Sequence, residues 1–111
     1  MVSKTPNQTS EGLEVKLLGQ KLVIKLEKTL GPDYEIIYNV KRLRGKYECV
    51  IHIVRWGMPE GGVFWFEDLK RNVVSELEFV ATAYMPVSVV EKIKKIVDEI
   101  NKQVSVEVSE E

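Results

Sequence analysis

The stretch DYEIIYNVKRLRGKYECVIHIVRW, from Asp33 to Trp56, decides the fold of this chain. Its two runs of alternating apolar residues meet at Arg44-Gly45, which predicts a long β-hairpin. Pairing Leu43 with Lys46 across that turn brings the apolar alternation of both strands onto one face, which we predict to be core. This predicted core face consists of Tyr34, Ile36, Tyr38, Val40, Tyr47, Cys49, Ile51 and Ile53.

The opposite face of the hairpin has a mixed composition. It is too apolar to face only solvent and too polar to form a second core, which is typical of a surface that meets a partner. Its residues are Ile37, Asn39, Lys41, Glu48, Val50, His52, Val54 and Trp56.

The segment before the hairpin, from Ser10 to Leu30, fits two structures. A helix would begin with Ser10 as its cap and end at Gly31-Pro32, where glycine adopts the left-handed conformation and proline cannot continue. A β-hairpin turning at Gly19-Gln20 would explain the near-perfect alternation, and Gly19 would cost about 1 kcal/mol in a helix. We favour the helix, and the hairpin alternative would give a six-stranded sheet plus one helix.

The segments after the hairpin complete a sheet and add a second helix. We predict a loop over 57–62, an aromatic strand over 63–67, a helical turn over 68–75 and a further strand over 76–84. Apolar residues then recur at helical spacing from Val89 to about Lys102. The predicted fold is α+β, with an N-terminal helix, a four-stranded antiparallel meander and a C-terminal helix.

Length and composition bound the organisation of the chain. Its 111 residues, 44% hydrophobic and 30% charged, suit one domain over 11–103, with a disordered lead-in over 1–10 and a tail over 104–111. The polar start predicts no signal peptide, and no run approaches the roughly 18 apolar residues of a membrane helix. We therefore expect a cytoplasmic protein. Abundant Lys, Glu, Val and Ile are typical of a thermophilic source.

Few residues suit catalysis or metal binding. A single cysteine, Cys49, and a single histidine, His52, exclude a disulfide and the common zinc patterns. Three residues apart in a strand, the two side chains point to opposite faces and cannot form a nucleophile pair. The acidic residues match no motif, and Glu67-Asp68 suits the start of a helical turn. We therefore predict a protein without enzymatic activity, metal or cofactor.

Basic and aromatic residues cluster around the hairpin, and this is the strongest functional signal. Cations that hold phosphates beside rings that stack on bases are what single-stranded nucleic acid requires. The candidate binding residues are Lys41, Arg42, Arg44, Lys46, His52, Arg55, Trp56 and Trp65, with Phe64 or Phe66 beside them. The prediction is a non-enzymatic protein that binds single-stranded DNA or RNA on an exposed sheet face.

A second interpretation uses the same face for protein contacts. Mixed aromatic and arginine content also suits an interface, so the chain could be a small interaction or assembly factor, including a viral one. The C-terminal helix keeps a heptad-like apolar series, so we expect a homodimer through this helix or the open sheet face. That series is Val90, Ile93, Val97, Ile100 and Val104.

The predicted order of elements resembles a known family. A helix, a four-stranded antiparallel sheet and a closing helix form a layout similar to small archaeal single-stranded-DNA-binding proteins of the ThermoDBP type. The resemblance covers the architecture and no motif residue, so it implies a fold and assigns no site.

Overall fold

A computed structural model describes residues 6–68, 70–71 and 73–110, with side chains described within 18–103. The elements are α1 (Pro6–Leu30), β1 (Tyr34–Leu43), β2 (Lys46–Arg55), β3 (Met58–Asp68), β4 (Val73–Val74), β5 (Glu78–Ala81) and α2 (Val87–Glu110). Strands β1, β2 and β3 are sequential antiparallel neighbours, and both β4 and β5 pair with the far edge of β3. The α+β fold with an antiparallel sheet between two helices in sequence is confirmed.

The predicted hairpin forms with the predicted register. Leu43 pairs with Lys46 and Tyr34 with Arg55 at the two ends of β1 and β2. The apolar face of the hairpin forms one side of the core, and α1 and α2 pack on that face. The buried hydrophobic side chains are Leu22, Leu26, Cys49, Ile51, Ile53, Val63, Trp65, Leu77, Met85, Ile93, Ile96 and Val97. Val40 is the exception to the prediction, since it is 41% exposed near the tip of an edge strand.

The N-terminal segment forms helix α1 and not the alternative hairpin. Gly19 allows this helix to pack closely against β1. A Cβ atom at this buried glycine would overlap the ring of Tyr38 on β1. The glycine thus lets the tyrosine ring lie against the helix backbone. At the other end Gly31 adopts φ 86° and its N–H donates to the carbonyl of Glu27, which ends the helix as predicted.

The predicted start of α1 at Ser10 is wrong, because the helix already includes Pro6. Proline suits the first turn of a helix, where its missing N–H has no intrahelical partner. Residues 6–10 therefore belong to α1 and not to the predicted disordered lead-in, whereas residues 1–5 lie outside the described part.

Replacing Gly19 with alanine should destabilise the protein by about 1 to 3 kcal/mol, although alanine is the better helix former. The added methyl group must displace the Tyr38 ring or move α1 away from β1. Thermal unfolding of Gly19→Ala, with and without Tyr38→Ala, measures this effect. The glycine substitution should cost less in the Tyr38→Ala background, and equal costs in both backgrounds would contradict the contact.

The predicted loop over 57–62 is wrong, since β3 begins at Met58. The connection is only two residues, Trp56 and Gly57, both with positive φ, the pattern of a tight hairpin turn. Gly61 is needed by packing rather than by a loop, because a Cβ there would lie 2.7 Å from the carbonyl oxygen of Val80. Pairing skips Glu60 between Ile53–Gly61 and Val54–Pro59, so this residue is an extra one in a β-bulge.

The predicted helical turn over 68–75 is also wrong. The Asp68 carboxylate accepts hydrogen bonds from the backbone N–H groups of Lys70 and Arg71, at 3.0 and 3.2 Å, and so stabilises a tight turn before β4. The predicted fourth strand is consequently divided into β4 and β5. Ser75 joins them to the sheet, since its N–H donates to the Phe66 carbonyl and its hydroxyl oxygen accepts from the Phe66 N–H.

Helix α2 is longer than predicted, and the separate tail over 104–111 is wrong for residues 104–110, which continue the helix. Its sequence contains no glycine or proline, so nothing interrupts propagation of the backbone ladder. Ile93, Ile96 and Val97 are buried against the sheet, so the apolar stripe of α2 is occupied within the protein. In the described part, neither helix is long and apolar enough to cross a membrane.

Candidate nucleic-acid interface

One face of the sheet is left uncovered by the helices, and we call it the open face. The register of β2 with β1 and β3 determines its membership. It consists of Glu35, Ile37, Asn39, Lys41 and Leu43 on β1, Lys46, Glu48, Val50, His52 and Val54 on β2, Gly62, Phe64, Phe66 and Asp68 on β3, and Glu78 and Val80 on β5. None of these residues is fully buried.

Trp65 is not on this face, which corrects its predicted role in stacking on bases. It pairs with Cys49 on the core side and is 1% exposed. Its ring stacks on Tyr38 with centroids 6.2 Å apart and planes 13° apart. Because side chains alternate along a strand, burial of Trp65 directs Phe64 and Phe66 to the open face. Phe66 is 38% exposed, so β3 does present aromatic rings there.

Arg55 is also not available to a phosphate, because it is paired within the protein. Its Nη2 and Nε atoms both lie 2.8 Å from Oε2 of Glu60, whose side chain the bulge turns into the core. The Tyr34 hydroxyl donates to the other carboxylate oxygen at 3.2 Å. Burial and this hydrogen bond raise the pKa of Tyr34. The guanidinium further lies over the rings of Tyr34 and Trp56, with centroids 5.3 and 4.8 Å away.

Trp56 is 78% exposed but lies in the turn between β2 and β3, at the opposite end of the sheet from the β1–β2 turn. Its ring stacks on Arg55 instead of projecting from the open face. The structure thus separates Arg55, Trp56 and Trp65 from the other predicted binding residues. His52 remains on the open face, exposed and paired across from Gly62.

The remaining predicted cations gather at one end of the sheet, around the β1–β2 turn. The turn after β3 adds two more exposed cations, Lys70 and Arg71, because Asp68 pairs with Lys46. We call this cluster the basic end, and it consists of Lys41, Arg42, Arg44, Lys46, Lys70 and Arg71. Sequence reasoning missed the last two, since their approach to the first hairpin depends on the register between β2 and β3.

The basic end adjoins the exposed phenylalanines. The Lys46 ammonium lies 5.9 Å from the centroid of the Phe66 ring. Asp68, the acidic residue nearest this cation in register, directs its carboxylate to backbone N–H groups. Glu35 and Glu78 lie farther along the face, whereas Glu48 lies within the basic end, paired with Lys41 on one side and Phe66 on the other. Positive charge and aromatic surface therefore coincide at one end of the open face although the whole chain carries a net charge of −1.

The cysteine thiol in the core beneath is not activated. Burial raises the pKa of the Cys49 thiol to about 11, so it remains protonated and a poor nucleophile at neutral pH. Burial also raises the pKa of Tyr38 beside it. His52 lies on the other face, as the strand alternation predicted. Within the described residues, no group of three or more His, Cys, Asp and Glu side chains could hold a metal ion.

The site is thus a sheet surface with exposed cations at one end and the Phe66 ring beside them. Comparisons of the chain with protein families, curated proteins and solved structures found no match.

Proposed function

We propose that this protein is a non-enzymatic binding protein that holds single-stranded nucleic acid on the open face, at the basic end. The observation that supports this most strongly is the exposed Phe66 ring beside the Lys46 ammonium, with Phe64 two residues farther along β3, at the end of the sheet around which the exposed cations gather. Sequence-tolerant single-strand binding combines these two features, because cations contact the backbone while aromatic rings stack on unpaired bases.

The spacing of the rings suits an extended strand. Phe64 and Phe66 are two residues apart on β3, which separates their Cα atoms by about 6.5 to 7 Å along the strand. Strand β3 is paired on both sides, with β2 on one and β4 and β5 on the other, so its backbone is a rigid platform. Each stacked base is expected to contribute roughly 1 to 3 kcal/mol.

Titration of a fluorescently labelled oligothymidylate with the protein at several salt concentrations tests the proposal. Replacing Arg44 and Lys46 with alanine should weaken binding and make its logarithmic salt dependence shallower by up to about 0.7 for each phosphate that is no longer neutralised. Phe66→Ala should lower the affinity by roughly 1 to 3 kcal/mol and leave the salt dependence nearly unchanged, since a ring releases no counterions.

The matched control removes two cations elsewhere. Lys92 and Lys95 are exposed on α2, so replacing both with alanine changes the net charge equally without touching the basic end. This control should bind like the unmodified protein. Equal losses of affinity in both double variants would mean that only overall charge matters, and absent binding at low salt by folded protein would contradict the proposal.

A protein partner on the same face is the second candidate. It is favoured by apolar residues at the half of the open face away from the basic end, where Ile37 is 37% and Val80 is 55% exposed. Such residues would bury apolar surface against a partner rather than contact phosphates. A folded protein that binds no oligonucleotide would favour this interaction or assembly role.

A further inference from the structure

Gly62 interrupts the side chains of the open face in the middle of β3. Its φ angle is not positive, so the backbone conformation at this position does not require a glycine. A glycine inside a strand lowers stability, because it loses more freedom on folding than other residues and offers no side chain to pack. Such a glycine often marks a place where a ligand or another backbone approaches the sheet closely.

The space above Gly62 is open. Apart from its chain neighbours, a Cβ atom at Gly62 would meet, within 4 Å in the described part of the chain, only the carbonyl oxygen of Ile51 at 3.0 Å. The preceding glycine differs, since a Cβ at Gly61 would lie 2.7 Å from the carbonyl oxygen of Val80 and 3.0 Å from Cε of Met85. A side chain at 61 would therefore collide with its neighbours, whereas one at 62 would project into open space.

Two exposed side chains border this space. His52 on β2 and Val80 on β5 both pair with Gly62, one from each side, and Val80 is 55% exposed. Because neighbouring strands lie about 4.8 Å apart, the Cα atoms of His52 and Val80 are about 9.5 Å apart across the glycine. Side chains stand roughly perpendicular to a sheet, so the gap has two facing walls. We call it the Gly62 slot.

The dimensions of the Gly62 slot suit one flat ring that enters edge-on. Such a ring needs a van der Waals contact of about 3.5 to 4 Å on each face, and therefore about 7 to 8 Å between the atoms of the two walls. The walls also suit a heterocycle. The imidazole of His52 can stack on one face and donate or accept a hydrogen bond, while Val80 offers apolar surface to the other face.

We propose that an unpaired nucleobase enters the Gly62 slot edge-on, between His52 and Val80. The inference rests on the proposed function and adds a further base position to the same site. Phe66, Phe64 and Gly62 follow one another two residues apart along β3, at steps of about 6.5 to 7 Å. The spacing that places two consecutive bases on the phenylalanine rings therefore places the next base at the Gly62 slot.

The Gly62 slot would make the open face selective for unpaired strands. Edge-on entry requires a base whose edge and both faces are free, and in a duplex the edges are paired and the faces are stacked on neighbouring bases. The cations of the basic end, in contrast, contact phosphates whether the strand is paired or not. Selectivity for single strands thus comes from the slot and the rings, and the salt-dependent part of the affinity comes from the basic end.

Two ligands distinguish the contribution of the Gly62 slot: a labelled oligothymidylate of about 16 nucleotides, and the same strand annealed to oligoadenylate. Gly62→Val fills the slot with a residue that suits a β-strand. It should lower the affinity for the single strand at least about fivefold, the value of one lost stacked base, and leave binding of the duplex at low salt unchanged.

His52→Ala removes one wall and tests the same slot independently. It should weaken single-strand binding in the wild-type protein but have no further effect in the Gly62→Val protein, because the slot is then already filled. Far-ultraviolet circular dichroism confirms that each variant is folded. Since His52 is exposed, its alanine variant keeps the test informative even if Gly62→Val does not fold.

The outcomes separate the Gly62 slot from the proposed function. Wild-type binding of the single strand that neither folded variant weakens would overturn the slot alone. Equal losses of affinity for the single strand and the duplex would also overturn it, since a filled slot cannot affect paired bases. Absence of oligonucleotide binding by the wild-type protein would contradict both the slot and the proposed function.

Discussion

Replacing Trp65 with alanine is expected to lower the free energy of unfolding by about 3 to 5 kcal/mol. The side chain is 1% exposed and is among the largest fully buried ones, so its removal leaves a cavity under α1 and α2 and takes away the ring that stacks on Tyr38. Chemical denaturation followed by circular dichroism measures this change, because the ellipticity does not depend on the tryptophan fluorescence that the substitution removes.

Trp65→Phe is the informative control. Phenylalanine keeps an aromatic ring against Tyr38 and removes Nε1, which is buried and makes no hydrogen bond within the described part of the chain. Since an unsatisfied donor disappears together with some packing, this variant should lose much less stability than the alanine variant. A Trp65→Ala protein of unchanged stability but weakened oligonucleotide binding would show that the ring faces a ligand and not the core.

Arg55→Met should destabilise the protein by about 2 to 4 kcal/mol, because the Glu60 carboxylate would remain buried without its cation. The loss of stability should be smaller than for a fully buried pair, because the Arg55 side chain is 23% exposed and water can partly replace it. The substitution also removes the cation that lies over the Tyr34 and Trp56 rings. Urea unfolding at neutral pH measures the difference.

Two further variants separate the ion pair from charge in general. Arg44→Met removes an exposed arginine at the β1–β2 turn and should change stability by less than about 0.5 kcal/mol. Arg55→Met combined with Glu60→Leu should recover much of the stability, because no unpaired charge is then buried. Equal stability of the Arg44→Met and Arg55→Met proteins would contradict the role assigned to Glu60.

The sequence alone could predict only part of the candidate site, and the run VFWFE at 63–67 shows why. Val63 and Trp65 alternate with Phe64 and Phe66, and both sets are apolar enough to be core. Alternation alone therefore leaves open which set is buried, and only the register with β2 assigns Trp65 to the core. The same register brings Lys70 and Arg71 to the basic end.

Local sequence also could not decide between a helix and a hairpin for the segment that forms α1. Gly19 and the alternating residues around it are evidence for a hairpin when local propensity alone is considered. In the folded protein that glycine accommodates Tyr38, a residue nineteen positions later in the sequence. The helix stop at Gly31 was predictable because it depends on backbone conformation within a few residues.

The sequence by itself determined the α+β class, the long hairpin with its Leu43–Lys46 register and the apolar face beneath it. These features follow from side-chain periodicity and turn chemistry, which act over a few residues. Only the tertiary structure decided the bulge at Glu60, its pairing with Arg55 and the division of the fourth strand. Each of these features depends on which strands become neighbours and on the requirement that a buried polar group has a bonding partner. The local pattern of apolar and polar residues carries no information about either.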